Sequence, residues 1–253
     1  MRSLTILTLL AGLAFSALAS AADDLMAAAQ AQFKPIPDKP PALPGNPASL
    51  AKVELGKMLY FDPRVSASHS ISCNNCHNIG LGGVDGQEKS IGHQWQRGGR
   101  NAPTVFNAVF NTAQFWDGRA KDLEEQAGGP MLNPIEMASP REHVSEQLAA
   151  IPGYVAAFKS AFPGSPSPVT LDNAQKAIAV FEATLITPNA PFDRYLKGDT
   201  SALTATQKQG LQLFIEKACA ACHNGINVGG GMYAPFGILE RPGAELLPPA
   251  DKG

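Results

Sequence analysis

Two copies of Cys-x-x-Cys-His, Cys73-Asn74-Asn75-Cys76-His77 and Cys219-Ala220-Ala221-Cys222-His223, constrain this chain more than any other feature. They use all four cysteines and two of the five histidines. A Cys-x-x-Cys pair followed at once by His is the attachment pattern for c-type haem. The thiols add to the haem vinyl groups as thioethers, and the His is the proximal iron ligand. Haem is a large apolar body, so each copy needs a small domain folded round it. A shared zinc site is a poorer reading, because the two pairs lie far apart and each carries its own His. A thioredoxin-like motif needs a βαβ setting that is missing here. With no cysteine left over, no disulfide is expected and two covalently attached haem c groups are.

The N-terminus reads as a leader. Arg2 is the only charge before Asp23, Leu4 to Leu18 is almost wholly apolar, and Ala19-Ser20-Ala21 offers a small-x-small cleavage site. The run is short for a transmembrane anchor and nothing later resembles a span. The expectation is a soluble exported protein, periplasmic in location, which suits thioether haem attachment. Losing Arg2 changes the 20 basic and 22 acidic residues to 19 and 22. That mild acidity gives nucleic-acid binding no support and leaves a small redox protein as the natural partner.

The organisation expected is a leader at 1–21, an N-terminal arm at 22–46, a first haem domain at 47–190 and a second at 191–253. The arm is proline-rich and predicted to be extended. Ser49 to Tyr60 reads as a helix with Leu50, Val53, Leu55, Met58 and Leu59 on a broad apolar face. Ser139-Pro140-Arg141-Glu142 predicts a capped helix start running to about Ala150, and Tyr154 to Phe162 a further short helix. Thr170 caps another, with Leu171, Ala174, Ile178, Phe181 and Leu185 on one face and Pro188 as its stop. Thr204 and Gln207 form a capping box for the helix leading to Cys219. A weak repeat places Gly56-Lys57-Met58-Leu59-Tyr60 before the first motif and Gly210-Leu211-Gln212-Leu213-Phe214 before the second. Strand signals are sparse. The fold class expected is mainly α, as two cytochrome c-like haem domains with long irregular connections.

Whether such haems only carry electrons or also do chemistry turns on the sixth iron ligand. His143, on a charged stretch of helix, and His69, on a polar loop, read as solvated side chains. His93 stands in Gly92-His93-Gln94-Trp95, inside a Gly-rich loop soon after the first motif, and is a candidate displaceable ligand.

The segments Arg100-Asn101-Ala102-Pro103-Thr104, Phe115-Trp116-Asp117-Gly118-Arg119 and Leu123-Glu124-Glu125-Gln126 make the chain resemble the bacterial di-haem cytochrome c peroxidases. Phe181-Glu182-Ala183-Thr184-Leu185 and Pro191-Phe192-Asp193-Arg194-Tyr195-Leu196 extend the likeness, which runs from about Leu55 onward. The resemblance implies a low-potential peroxidatic haem on His77, with His93 as the distal histidine that leaves before peroxide binds. It implies Trp116 as an aromatic residue in the electron path, and Gln126 and Glu136 as the polar pair of the peroxide pocket. Asn101 matches a ligand of the family's calcium ion. The second haem, on His223, is implied to be the high-potential, electron-receiving centre, and the family suggests a homodimer.

One departure stands out. The family's second haem has a methionine sixth ligand, yet only 30 residues follow His223, and 11 of them are Gly or Pro. Met232 is the sole downstream methionine and is close to the motif, so the sixth ligand stays open and the second domain is expected to be incomplete. The reaction implied is reduction of hydrogen peroxide to water with electrons from a small cytochrome c or cupredoxin. Three rivals stand beside it: a di-haem electron carrier without peroxidase turnover, a relative that oxidises a protein side chain, and a truncated product without function.

Overall fold

The computed structural model describes residues 24–235 together with Gly237, Glu240, Pro242 and Gly243; the leader expected at 1–21 lies outside the described residues. The described residues are helical, with three isolated β-bridges and no strand. None of their helices is long and apolar enough to cross a membrane. The chain divides into two compact units, one of residues 39–186 with 232–253, the other of residues 1–38 with 187–231.

The larger unit holds the first motif. Its helices are α2 (Leu50–Phe61), the short α3 (Cys73–Cys76), α4 (Leu123–Leu132), α5 (Arg141–Ala149), α6 (Pro152–Ala161) and α7 (Leu171–Ala183); α1 is residues 24–32 of the other unit. Ser49 caps α2 by accepting from Lys52 N–H at 3.2 Å, and Thr170 caps α7 by accepting from Asn173 N–H at 3.1 Å. Their buried faces meet in a core that includes Leu55, Leu59, Phe158, Ala174, Ala177 and Ile178. Gly56 makes the approach possible, because a Cβ there would lie 2.0 Å from the Ala177 carbonyl oxygen. The helix of Thr170 ends at Ala183, before Pro188.

The start of α5 corrects an expectation. Ser139 is not its cap: Pro140 occupies that position without a side-chain cap, and buried Ser139 donates its hydroxyl to Val65 C=O at 2.6 Å. Proline carries no side-chain acceptor, so the apparent capping box is a tertiary tie between two loops.

The smaller unit holds α1, α8 (Pro191–Leu196) and α9 (Ala205–Glu216). The arm predicted to be extended is helical over 24–32 and closes this unit's core. Phe33 packs edge-on to Phe192 at 5.3 Å between centroids and tilted to Phe214 at 6.2 Å. Buried Asp193 accepts from Ile36 N–H at 2.9 Å and Ala190 N–H at 3.0 Å. Gly225 N–H donates to Gln32 C=O at 2.8 Å, fixing the loop after the second motif. Apolar burial of Ala29 and Phe33 outweighs the proline-rich composition that suggested an arm. The Thr204–Gln207 capping box forms as expected.

Candidate functional site

The first motif folds as one helical turn whose intervening residues hold it. Asn75 Oδ1 accepts from both Ser72 N–H and Ser72 Oγ–H at 2.8 Å, and Asn74 Oδ1 accepts from Ile79 N–H at 3.3 Å. Tyr60, at the end of α2, donates its hydroxyl to the His77 carbonyl at 2.5 Å. Cys73 packs partly buried against Tyr60, Val105 and Phe181, and both thiols are free. Burial pushes the Cys73 and Cys76 thiols up, so both are held neutral.

His77 and Cys76 open onto a cavity of about 400 Å³, within the size range of sites that enclose small cofactors. The loop connecting α3 to α4 and the segment after α4 wall it. His77 Nδ1 lies 2.9 Å from the Pro103 carbonyl, which fixes Nδ1 as the protonated nitrogen and leaves Nε2 as the unprotonated one. Ligating histidines characteristically donate their other ring N–H in this way. Burial also lowers the His77 pKa and keeps the ring neutral. Two neutral thiols, a ring with one unprotonated nitrogen and a cavity beside them fit a thioether-bound haem.

Four other expected residues line the same cavity: Asn101, Trp116, Gln126 and Glu136. Glu136 Oε1 accepts from Asn133 Nδ2 at 3.0 Å. Burial raises its pKa against the opposing pull of Arg119 and that hydrogen bond. Trp116 Nε1 donates to Asn101 C=O at 2.8 Å, with more than half of the indole exposed. Asn101 Nδ2 donates to Gln87 C=O at 2.5 Å. Among the described residues no three His, Cys, Asp or Glu side chains gather to hold a metal ion.

His93 does not line the cavity; its neighbour Gly92 does. Its N–H is shared between Ile135 C=O at 3.0 Å and Glu136 C=O at 2.8 Å, and its Nδ1 is buried without a partner. A Cβ on Gly92 would lie 2.2 Å from Ile135 O, so the loop rests directly on the backbone that carries Glu136. The next two residues, Gln94 and Trp95, have φ of 52° and 64°, a conformation that costs of order 1–3 kcal/mol each for such side chains.

Sequence reasoning assigned no role to Asp117, Arg100, Arg119 and Glu182, four polar residues of the cavity wall. Asp117 Oδ2 accepts from Arg100 Nη1 at 3.0 Å and its Oδ1 from Arg119 Nη1 at 2.9 Å. Burial opposes ionisation of Asp117, but the bonds from Arg119 and Arg100 outweigh it and hold the carboxyl below its usual range. The Arg119 guanidinium also stacks on Phe115 at 3.5 Å. Glu182 is the fourth. It is buried on α7, and burial alone raises its carboxyl to about 8. The available signal was a carboxylate four residues after Ile178, on the apolar side of the helix.

The second motif is presented differently. Cys219, Cys222 and His223 are exposed, and Ala218 (φ 60°) turns the chain from α9 into the motif. The His223 ring packs edge-on to Phe214 at 6.2 Å, with exposed Leu213 adjacent in sequence. Thiols, imidazole and apolar side chains together fit a haem covering this face. Met232, half exposed, groups with the larger unit, where the neighbouring Tyr233 donates to Ala113 C=O at 3.0 Å.

A family model described as di-haem cytochrome c peroxidase matches residues 50–201. The chain is 56% identical over 241 residues to cytochrome c551 peroxidase of Pseudomonas aeruginosa, covering 95% of this chain and 70% of that protein. It is 51% identical over 195 residues to cytochrome c551 peroxidase of Nitrosomonas europaea, covering 77% of this chain and 58% of that protein. Among solved structures it is similar to a MauG-like protein associated with microbial copper homeostasis. That match has a TM-score of 0.69 and 30% identity over 75% of this chain and 56% of the other.

Proposed function

The chain belongs to the di-haem cytochrome c peroxidase family, and we propose that the whole protein reduces hydrogen peroxide to water with electrons from a small cytochrome c or cupredoxin. The family implies two haem c groups, held here by Cys73, Cys76 and His77 and by Cys219, Cys222 and His223. Bound there, haem supplies the redox-active iron and the coordination position that receives peroxide.

The observation that carries the reading is Glu136, a carboxyl raised by burial in the same cavity as Cys76 and His77. Heterolysis of peroxide requires a proton to move from the oxygen that stays to the oxygen that leaves as water. A positioned carboxyl with a raised pKa can take the first proton and return it to the second oxygen. Asn133 occupies Oε1 and so orients the group for this relay. Gln126, also lining the cavity, offers an amide donor and acceptor to the same ligand. Pro103 C=O fixes the His77 tautomer and makes the proximal ring more basic. His93 is the displaceable ligand in this reading, and its loop is tied to Glu136 through the backbone. Trp116 serves the electron path, a role that rests on the resemblance. Cys219, Cys222 and His223 would hold the haem that accepts the donor's electrons, and His93 would be the side chain that gives way at the first haem.

Export to the periplasm, a homodimer and a calcium ion at Asn101 belong to the same proposal and rest on the leader pattern and the family. The test is Glu136→Gln in the two-haem protein. A fall of about 10²–10⁴-fold in peroxide turnover is expected, with haem content and reduction by the donor unchanged. Unaltered turnover would sink the role of Glu136. Reduction of both haems without any peroxide consumption by the unmodified protein would favour the electron-carrier reading instead. A relative that oxidises a protein side chain is the other alternative. His93 argues against it, because a displaceable histidine at the first haem resembles the peroxidases.

A further inference from the structure

Glu182 is the one deeply buried carboxyl on the cavity wall to which the peroxidase chemistry gives no task. It is 6% exposed, and it shares α7 with buried Ala179, Val180, Phe181 and Ala183. It lines the cavity alongside His77, Cys76 and Gln126. Such a group is stable inside a protein when it is neutral or paired. Among the described residues no ion pair involves it.

The groups that face it confirm this from each side. Tyr60 of α2 and Cys73 of α3 sense its charge, but the phenol is neutral with its hydroxyl on His77 C=O, and Cys73 becomes a neutral thioether once haem is attached. From α4, Leu123 and Gln126 face the cavity and neither is charged, while Glu124 meets α7 through its carbonyl, which accepts from Gln175 Nε2. The 3-10 turn Ala108–Phe110 carries no charge. α5 meets α7 near its start, where Arg141 pairs with Asp172. Within the cavity, Arg100 and Arg119 are engaged by Asp117, and Glu136 adds a second carboxyl. Burial is therefore the cause that sets Glu182, at about 8.

We infer that Glu182 takes up a proton when the haem carried on His77 takes up an electron, so that the buried wall keeps its net charge. This inference rests on the di-haem reading above. The balance is one electron from the reductant to the iron and one proton from solvent to a Glu182 carboxylate oxygen. One O–H bond forms and none breaks within the protein. The physical reason is electrostatic. Adding negative charge beside a poorly solvated carboxylate raises its affinity for a proton, and protonation in turn favours the reduced state. The route is open, because exposed Gly99 lines the same cavity and admits water.

The experiment is a redox titration of the purified two-haem protein across a pH range centred near 8, following each haem by its own absorbance. In the unmodified protein the equilibrium constant for reducing the first haem should fall up to tenfold per pH unit within that window, about 59 mV for one electron. In Glu182→Gln it should be flat there, with the second haem alike in both proteins. A flat first haem in the unmodified protein, or an equal slope in the variant, overturns the inference. A second measurement needs no variant. The reduced-minus-oxidised infrared difference spectrum near pH 8 should gain a protonated-carboxyl C=O band, and absence of that band also overturns it. A protein whose mass lacks two haems defeats the peroxidase reading and this inference together. A two-haem protein with a pH-independent potential defeats this inference alone.

Discussion

The two glycines at matching places in the internal repeat, Gly56 and Gly210, should respond to alanine with opposite signs. A Cβ on Gly56 would lie 2.0 Å from Ala177 O, 2.6 Å from Ala177 C and 2.8 Å from Phe181 Cβ, whereas Gly210 has nothing within 4 Å. The obstructing atoms at Gly56 are mostly backbone, so no side-chain rotation relieves them. Reaching even 3.0 Å obliges α2 and α7 to part by close to 1 Å across the main helix pair of the core. Overpacking of this kind costs about 1–3 kcal/mol, and a backbone obstruction belongs at or above the upper end. At Gly210, alanine removes the helix penalty of glycine and should add about 0.5–1 kcal/mol. Urea unfolding of the holoprotein, followed by far-UV circular dichroism, gives both changes from the midpoints. Because Tyr60 on α2 holds the His77 carbonyl, Gly56→Ala should also perturb the absorbance of the first haem while sparing the second. Equal midpoints for Gly56→Ala and the unmodified protein would refute the close-packing argument.

Other outcomes follow from single contacts. Glu182 has a folded pKa of about 8, above its unfolded value of about 4.3, so the folded state binds the extra proton between them. Its contribution is therefore fully present below about pH 4.3 and is lost as pH rises to 8. That costs about 5 kcal/mol as an upper figure, and Glu182→Gln should flatten this part of the stability curve. Ser139→Ala removes the buried bond to Val65 C=O and should cost about 1–3 kcal/mol in the same unfolding assay. His93→Gly should let the oxidised protein turn over peroxide without prior reduction; a variant inactive until reduced would remove His93 from the gating role.

Local chemistry made the helices of Ser49, Thr170 and Thr204 legible, since the apolar faces of the first two and the capping box of the third lie within a few residues of sequence. The same reasoning misread Ser139, whose hydroxyl is claimed by Val65 far along the chain. It also misread residues 24–32, because what holds them is Phe33 against Phe192 and Phe214, contacts that no periodicity announces. Cys76, His77, Trp116, Gln126 and Glu136 were nameable from motif and resemblance, and they share one cavity. The Arg100–Asp117–Arg119 network and Glu182 were not, because irregular loops bring the first together and burial alone gives the second its character. The placement of His93 outside the cavity lining was equally hidden, set by backbone bonds to Ile135 and Glu136.

The most direct test of the central claim is peroxide-dependent oxidation of reduced cytochrome c by the purified protein, with intact mass measured on the same sample. The account predicts a mass that includes two haems and catalytic consumption of peroxide at two electrons per molecule. A protein that carries both haems, accepts electrons from the donor and leaves peroxide untouched would contradict it.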